Sequence, residues 1–242
     1  LEFRRVLFRS IYRYLMSKRD IPTDVIFERV QAIARQENGI PEHLSACAKI
    51  NLRLKVMGRR GDGYHLLSML NATTGLRDDL EISLSSSPEC RVRIEPPFAI
   101  DGANHDNLVC KAFRSFWAGF GLKEPPVGLD VKLFKRIPIG GGLGGGSSDA
   151  GATLRYLTLR FGPLLKESCD ISESELQRIV LDAALSCGAD VPYAYYGGWC
   201  WVSGVGERVQ PIRLEGAFAG QVVIVVPSKP VATAPFYKRS EE

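Results

Sequence analysis

Pro138-Ile139-Gly140-Gly141-Gly142-Leu143-Gly144-Gly145-Gly146-Ser147-Ser148-Asp149-Ala150 places six glycines within residues 140–146, followed by two hydroxyls and a carboxylate. Upstream, Val131-Lys132-Leu133-Phe134-Lys135-Arg136-Ile137 alternates apolar and polar residues, the period of a half-buried strand. Downstream, Ala150-Gly151-Ala152-Thr153-Leu154-Arg155-Tyr156-Leu157 reads as a helix that opens with small residues, and Ser147, Ser148 and Asp149 are N-cap candidates for it. A strand, a loop without side chains and a helix start make a phosphate site. Glycines let backbone N–H groups approach an anion, and the helix end adds unpaired donors and a positive dipole. A simple flexible turn needs one or two glycines, not six.

Two other phosphate loops fit less well. A P-loop requires Gly-Lys-Ser/Thr at its end, and Gly146 runs straight into Ser147. A Rossmann pattern can be drawn through Gly140, Gly142 and Gly145, but a glycine run matches it by chance. No acidic residue closes a second strand about twenty positions on, as dinucleotide binding would require.

The chain of 242 residues can bury a real core, and 45% hydrophobic with 24% charged residues is ordinary for a globular protein. No run of about 18 apolar residues exists to span a membrane. The net charge of +4 sits mostly in residues 1–40, with eight Lys/Arg against five Asp/Glu; the rest, 23 against 22, is neutral. A nucleic-acid partner would want a basic stripe on the body, and none is visible. Cys47, Cys90, Cys110, Cys169, Cys187 and Cys200 form no C-x-x-C pair, and His43, His65 and His105 are scattered. Neither a zinc site nor a disulfide framework is expected, and reduced thiols suit a cytoplasm-like compartment.

Leu1 to about Arg19 is arginine-rich and acid-poor, and reads as a non-native leader or, if an organelle signal, a plastid transit peptide. Residues 20–38 show helical spacing, ended by Gly39 and Pro41. Residues 1–43 are therefore expected to be an extension outside the main fold. From Ala48 a strand alternates, with Lys49 and Asn51 on one face and Ile50, Leu52 and Leu54 on the other. Alone, Lys49 reads as a solvated strand lysine. Gly58-Arg59-Arg60-Gly61-Asp62-Gly63-Tyr64-His65 is a turn delivering an aromatic and an imidazole together. A strand to Leu76, a turn at Asp78-Asp79, and strands at 80–84 and 91–94 follow. Asn107 or Asp106 caps a helix to about Phe120, and the loop helix is expected to end at Gly162-Pro163. Ser172 and Glu175 offer a capping box for the next helix. Gly188-Ala189-Asp190-Val191-Pro192 then holds Asp190 in a stiff turn, which alone reads as a turn-stabilising aspartate. A hairpin at 197–209 and a buried apolar strand at 221–226 complete the reading.

Taken together, the loop, Ala48-Lys49-Ile50-Asn51-Leu52 before it and Gly188-Ala189-Asp190-Val191-Pro192 after it resemble the GHMP kinase superfamily. The likeness runs from about residue 45 to the C-terminus. It implies an α+β fold of two domains: a ribosomal protein S5 domain 2-like N-terminal domain over residues 44–212, and a ferredoxin-like C-terminal domain of which residues 213–242 would be the start. It further implies transfer of the ATP γ-phosphoryl to the 2-hydroxyl of a methylerythritol carried on cytidine diphosphate, a step of non-mevalonate isoprenoid synthesis.

In that reading Asp190 is the general base and Lys49 its neighbouring charge stabiliser. Gly140, Gly141, Gly142, Leu143, Gly144, Gly145, Gly146, Ser147 and Ser148 hold the ATP phosphates, bridged by Mg²⁺ without a dedicated carboxylate ligand. Asn107, Leu108 and Lys135 fall on the adenosine side. Asn51, Tyr64, His65, Thr233 and Tyr237 fall on the substrate side, with Tyr64 and His65 at the cytosine. An aromatic face beside an imidazole edge suits a flat heterocycle. The partner is a small molecule, without nucleic acid or membrane, and the protein a monomer or homodimer. Another GHMP kinase, acting on a mevalonate-type alcohol, homoserine or a sugar, is the alternative, as is an inactive nucleotide-binding fragment.

Overall fold

In the computed structural model, which describes residues 21–61, 63–95, 107–214 and 220–225, a long hairpin forms the spine. Its arms are β1 (Glu42–Arg59) and β2 (His65–Ser85). β3 (Cys90–Glu95) pairs in parallel with β4 (Gly128–Phe134), β4 pairs antiparallel with β2, and β5 (Cys200–Gly204) and β6 (Arg208–Pro211) extend the other side. The sheet runs β3-β4-β2-β5-β6, with β1 also paired to β2. Around it pack α1 (Thr23–Glu37), α2 (Leu108–Ala118), α3 (Gly145–Cys169), α4 (Glu173–Cys187) and α5 (Val191–Tyr196). This is the expected α+β arrangement.

The core lies between helices and sheet. Leu80, Ile82 and Leu84 of β2 and Leu129, Val131 and Leu133 of β4 meet Phe113, Phe116 and Trp117 of α2 and Leu154, Leu157 and Phe161 of α3. The Trp117 and Phe161 rings are 5.1 Å apart. α1 lies within the stretch expected to stand outside the fold, yet Ile26 and Val30 are fully buried in this same core. Each such aliphatic side chain contributes about 1.5–3 kcal/mol when buried, and an Arg29–Glu167 ion pair adds a contact to α3.

Several local expectations change. Asp78-Asp79 is no turn: β2 runs straight through, and Asp78 is fully buried. Pro163 does not end α3, which continues six residues further because Leu165 and Cys169 are buried behind it. A proline there forfeits one helical hydrogen bond, and burial outweighs the loss. Leu52 and Leu54 are exposed, 48% and 43%, whereas Ala46, Ala48 and Lys49 are buried. The β1–β2 register shifts between Cys47 and Lys49 and again between Asn51 and Arg53. Such bulges break the two-residue alternation and re-aim the following side chains. Residues 221–225 form no strand, and Val222, Val223 and Val225 are exposed, while Ile224 packs near Ala48, Ile137 and Leu143. The Asn107 cap, the Ser172–Glu175 capping box, the Gly188 C-cap and the β5–β6 hairpin are as expected.

Candidate active site

The loop between β4 and α3 takes positive φ at Gly140, Gly142 and Gly144 (75°, 71° and 70°), conformations that cost other residues steric strain. Helix α3 is capped by Gly144 itself, not by Ser147, Ser148 or Asp149, which lie inside its first turns. Ser148 is instead a stitch: its hydroxyl donates to the Cys47 carbonyl at 2.7 Å, while the Lys49 N–H donates to the Leu143 carbonyl at 2.9 Å. The loop is thus fastened to β1 at the bulge. A Cβ on Gly144 would lie 2.9 Å from Lys49 Cγ, so the lysine stem runs against the loop backbone.

Lys49 is a buried residue whose ammonium has two neighbours. It donates to Asn51 Oδ1 at 2.8 Å and lies 3.4 Å from Asp190 Oδ2, with the two side chains 9% and 37% exposed. Behind it, Asn51 Nδ2 donates to Oδ1 of the fully buried Asn71 at 2.7 Å. A strand bulge and an asparagine relay therefore turn a lysine inward and aim its tip at one carboxylate.

Asp190 is delivered from the far side by the junction of α4 and α5. α4 ends at Cys187, whose carbonyl accepts from Lys111 Nζ at 3.1 Å, and Pro192 stands in the first turn of α5. α5 is pressed on α3 at Gly151, where a Cβ would meet the Ala194 carbonyl carbon at 2.6 Å. Arg155 clamps that contact by donating to the Ala194 and Tyr195 carbonyls at 2.5 and 3.1 Å.

Beneath the loop lies a charged triad. Lys135 bridges Asp78 of β2 and Asp149 of α3, the latter at 2.8 Å, and all three side chains are at most 7% exposed. Asp78 Oδ1 also accepts from the N–H groups of Arg136 and Ile137 at 2.5 and 2.8 Å. Burial pushes the Asp149 carboxyl up to about 7, with Lys135 opposing and Asp78 reinforcing the shift. Burial draws the Lys135 ammonium down, but Asp149 and Asp78 outweigh it and its pKa is raised.

A cleft of about 380 Å³ opens over the loop, lined by Gly140 to Ser147 together with Asn107, Leu108, Lys135, Asp149 and Asp190. That size suits a small ligand. The candidate nucleotide residues other than Ser148, which is buried and turned to Cys47, thus share one cavity with the carboxylate, and Lys49 adjoins it through Asp190. Tyr64 and His65 do not line it. They are half-buried where the β1–β2 hairpin closes, and His65 pairs with Arg59, eight strand positions beyond Asn51. Thr233 and Tyr237 lie outside the described residues. Among the described residues, no cluster of three or more His, Cys, Asp or Glu could hold a metal, and no helix is long and apolar enough to cross a membrane. None of the six cysteines is in a disulfide.

Sequence reading missed Asn71, Arg155 and Asp78. For Asp78 a signal existed: it shares strand parity with Leu80, Ile82 and Leu84, the face that becomes core. A carboxylate on an apolar face must find partners.

A glycine loop between strand and helix thus faces an inward lysine and an aspartate at a helix junction. Residues 107–198 match the family model for the GHMP kinases N terminal domain. A crystal structure of 4-(cytidine 5'-diphospho)-2C-methyl-D-erythritol kinase is 34% identical with a TM-score of 0.53, covering 72% of this chain and 56% of its own. The 4-diphosphocytidyl-2-C-methyl-D-erythritol kinase of Clostridium beijerinckii is 34% identical over 196 residues, 81% of this chain and 63% of that protein. Its counterpart in Pseudothermotoga lettingae is 41% identical over 168 residues, 68% of this chain and 53% of that protein. The chain therefore spans less than two thirds of the relatives it matches.

Proposed function

We propose that this chain binds ATP over the glycine loop and transfers its γ-phosphoryl to the 2-hydroxyl of 4-diphosphocytidyl-2-C-methyl-D-erythritol, the molecule named in its relatives. The observation that carries the reading is the 3.4 Å approach of Lys49 Nζ to Asp190 Oδ2 beside the loop cleft. Phosphoryl transfer needs positioning and charge stabilisation more than covalent chemistry. Asp190 Oδ2 accepts the proton of the attacking hydroxyl, and Lys49 orients that oxygen and stabilises charge building on the transferred group. Backbone N–H groups of the loop and of the first turn of α3 hold the phosphates. Asn51, fixed by Asn71, holds Lys49 in line.

Mg²⁺ fits this donor set because it takes few protein oxygens when phosphates supply the rest. The hydroxyl of Ser147 on the cleft wall is the available one, since that of Ser148 is spent on Cys47. When bound, the ion neutralises phosphate charge. Asn107 and Leu108, at the cleft's other end, are assigned to the adenosine, and Tyr64 and His65 to the cytosine.

The test is a coupled assay of ADP release with MgATP and the cytidine-bearing alcohol. Asp190→Asn should lower turnover by about 10²–10⁴-fold while calorimetry finds MgATP affinity retained. Undiminished turnover in that variant refutes the assignment of the base. Equal rates with an alcohol lacking the cytidine diphosphate refute the acceptor.

A further inference from the structure

Lys135 is a single cation between two carboxylates that arrive from different elements, Asp78 from β2 and Asp149 from the second turn of α3. Its ammonium lies directly under the loop, 3.2 Å from where a Gly145 Cβ would stand. Asp149 lines the cleft, is 3% exposed, and its Oδ1 has no partner. Resemblance puts Lys135 on the adenosine side, but its side chain is 7% exposed and its donors are turned to the two acids.

We propose that Asp78, Lys135 and Asp149 form a charge-setting pin beneath the anion cradle, and that Lys135 acts through its charge under the loop and not by touching the nucleoside. The inference rests on the loop being a phosphate site. The lysine ties the end of β4 to the start of α3, so the loop between them is held at both ends. Asp78 completes the tie by taking the Arg136 and Ile137 N–H groups. The pin holds one more acid than base, so its charge acts on any polyphosphate above it. Burial pushes Asp149 up to about 7, so that surplus charge appears as pH rises through neutrality. The groups acting on Asp149 are Lys135 and Asp78, with Asp190 on the wall of the same cleft and Lys49 paired to it.

Four proteins test this: the unaltered chain, Asp149→Asn, Lys135→Met and the double variant. With both acids ionised the pin carries one net negative charge in the unaltered chain, none in Asp149→Asn, two in Lys135→Met and one again in the double variant. Calorimetry at pH 8 with MgATP and with inorganic tripolyphosphate should rank affinity as Asp149→Asn above the unaltered chain, the double variant near the latter, and Lys135→Met last. Each step should be about tenfold, the size of one charge acting across a partly buried site. Between pH 8 and pH 6 the unaltered chain should gain on Asp149→Asn, a comparison in which the ligand's own titration cancels.

Recovery of binding in the double variant, where the lysine is still missing, is what a nucleoside contact or a simple packing role cannot produce. A double variant as weak as Lys135→Met for ATP alone, or equal affinities in all four proteins, overturns the pin. Should Lys135→Met not fold, the Asp149→Asn affinity and the gain of the unaltered chain on it between pH 8 and pH 6 decide the question. Tripolyphosphate following the ladder while ATP binds no better supports the pin and refutes the kinase reading. ATP binding without the ladder does the reverse, and binding of neither ligand overturns both.

Discussion

Gly151→Ala probes the contact that places Asp190. The added Cβ would lie 2.6 Å from the Ala194 carbonyl carbon, 2.8 Å from its oxygen and 2.8 Å from the Tyr195 nitrogen. Unstrained carbon contacts begin near ~3.5 Å, so α3 and α5 must part by about 1 Å. The obstacle is backbone, and Arg155 pins that backbone through two carbonyls, so no side chain can swing aside. Overpacking of this kind costs about 1–3 kcal/mol, and a rigid neighbour puts it near the upper end. Alanine returns about 1 kcal/mol of helix propensity over glycine, leaving a net loss of about 2 kcal/mol. For a domain of this length that is a fall in Tm of about 4–8 °C. The same step can displace Asp190, and an error of about 1 Å in a catalytic group costs up to about 100-fold in rate. The assay is thermal unfolding by circular dichroism, with turnover alongside. Gly75→Ala, an exposed strand position with nothing within 4 Å of its new Cβ, is the control. Propensity alone predicts that Gly151→Ala raises Tm. A melting point at or above that of the unaltered chain therefore refutes the contact argument.

Two further outcomes follow from the buried acids, beside those given above for Asp190 and the pin. Asp78→Ala strands Lys135 with one partner and leaves two backbone N–H groups unsatisfied, and should cost about 3–5 kcal/mol in denaturant unfolding; a loss below about 1 kcal/mol would mean the triad carries no structural weight. Asp149 has a folded pKa raised from 3.8 to about 7. Its protonated form is favoured in the fold, so its contribution to stability is fully present below about pH 4 and is lost as pH rises through 7, on the order of 4 kcal/mol in all. Unfolding midpoints of Asp149→Asn should accordingly decline less between pH 4 and pH 8 than those of the unaltered chain, and parallel declines would refute the shift.

Much of this was legible in the chain itself. A run of glycines with positive φ at alternate positions admits few geometries, and the flanking periods of two and 3.6 mark strand and helix without any partner in view. Caps are equally local, since Asn107, Ser172 and Gly188 satisfy backbone groups two to four residues away. Boundaries decided by burial were not legible. Pro163 and the Asp78-Asp79 pair carry local signals for stopping, and each was overruled by neighbours remote in sequence. Residues 221–225 show the converse, an apolar run whose exposure is settled by what packs on it.

The residue types of the glycine loop, an amine and a carboxylate were thus determined by sequence alone, because each is a matter of local composition and spacing. That Lys49 turns inward was decided only by the tertiary fold, through a bulge against β2 that reverses strand parity. The same holds for its meeting with Asp190 at 3.4 Å, and for Lys135, which lies beneath the loop between two buried acids. Such meetings join positions up to 141 residues apart, and no local preference encodes a distance between segments that only shared burial brings together.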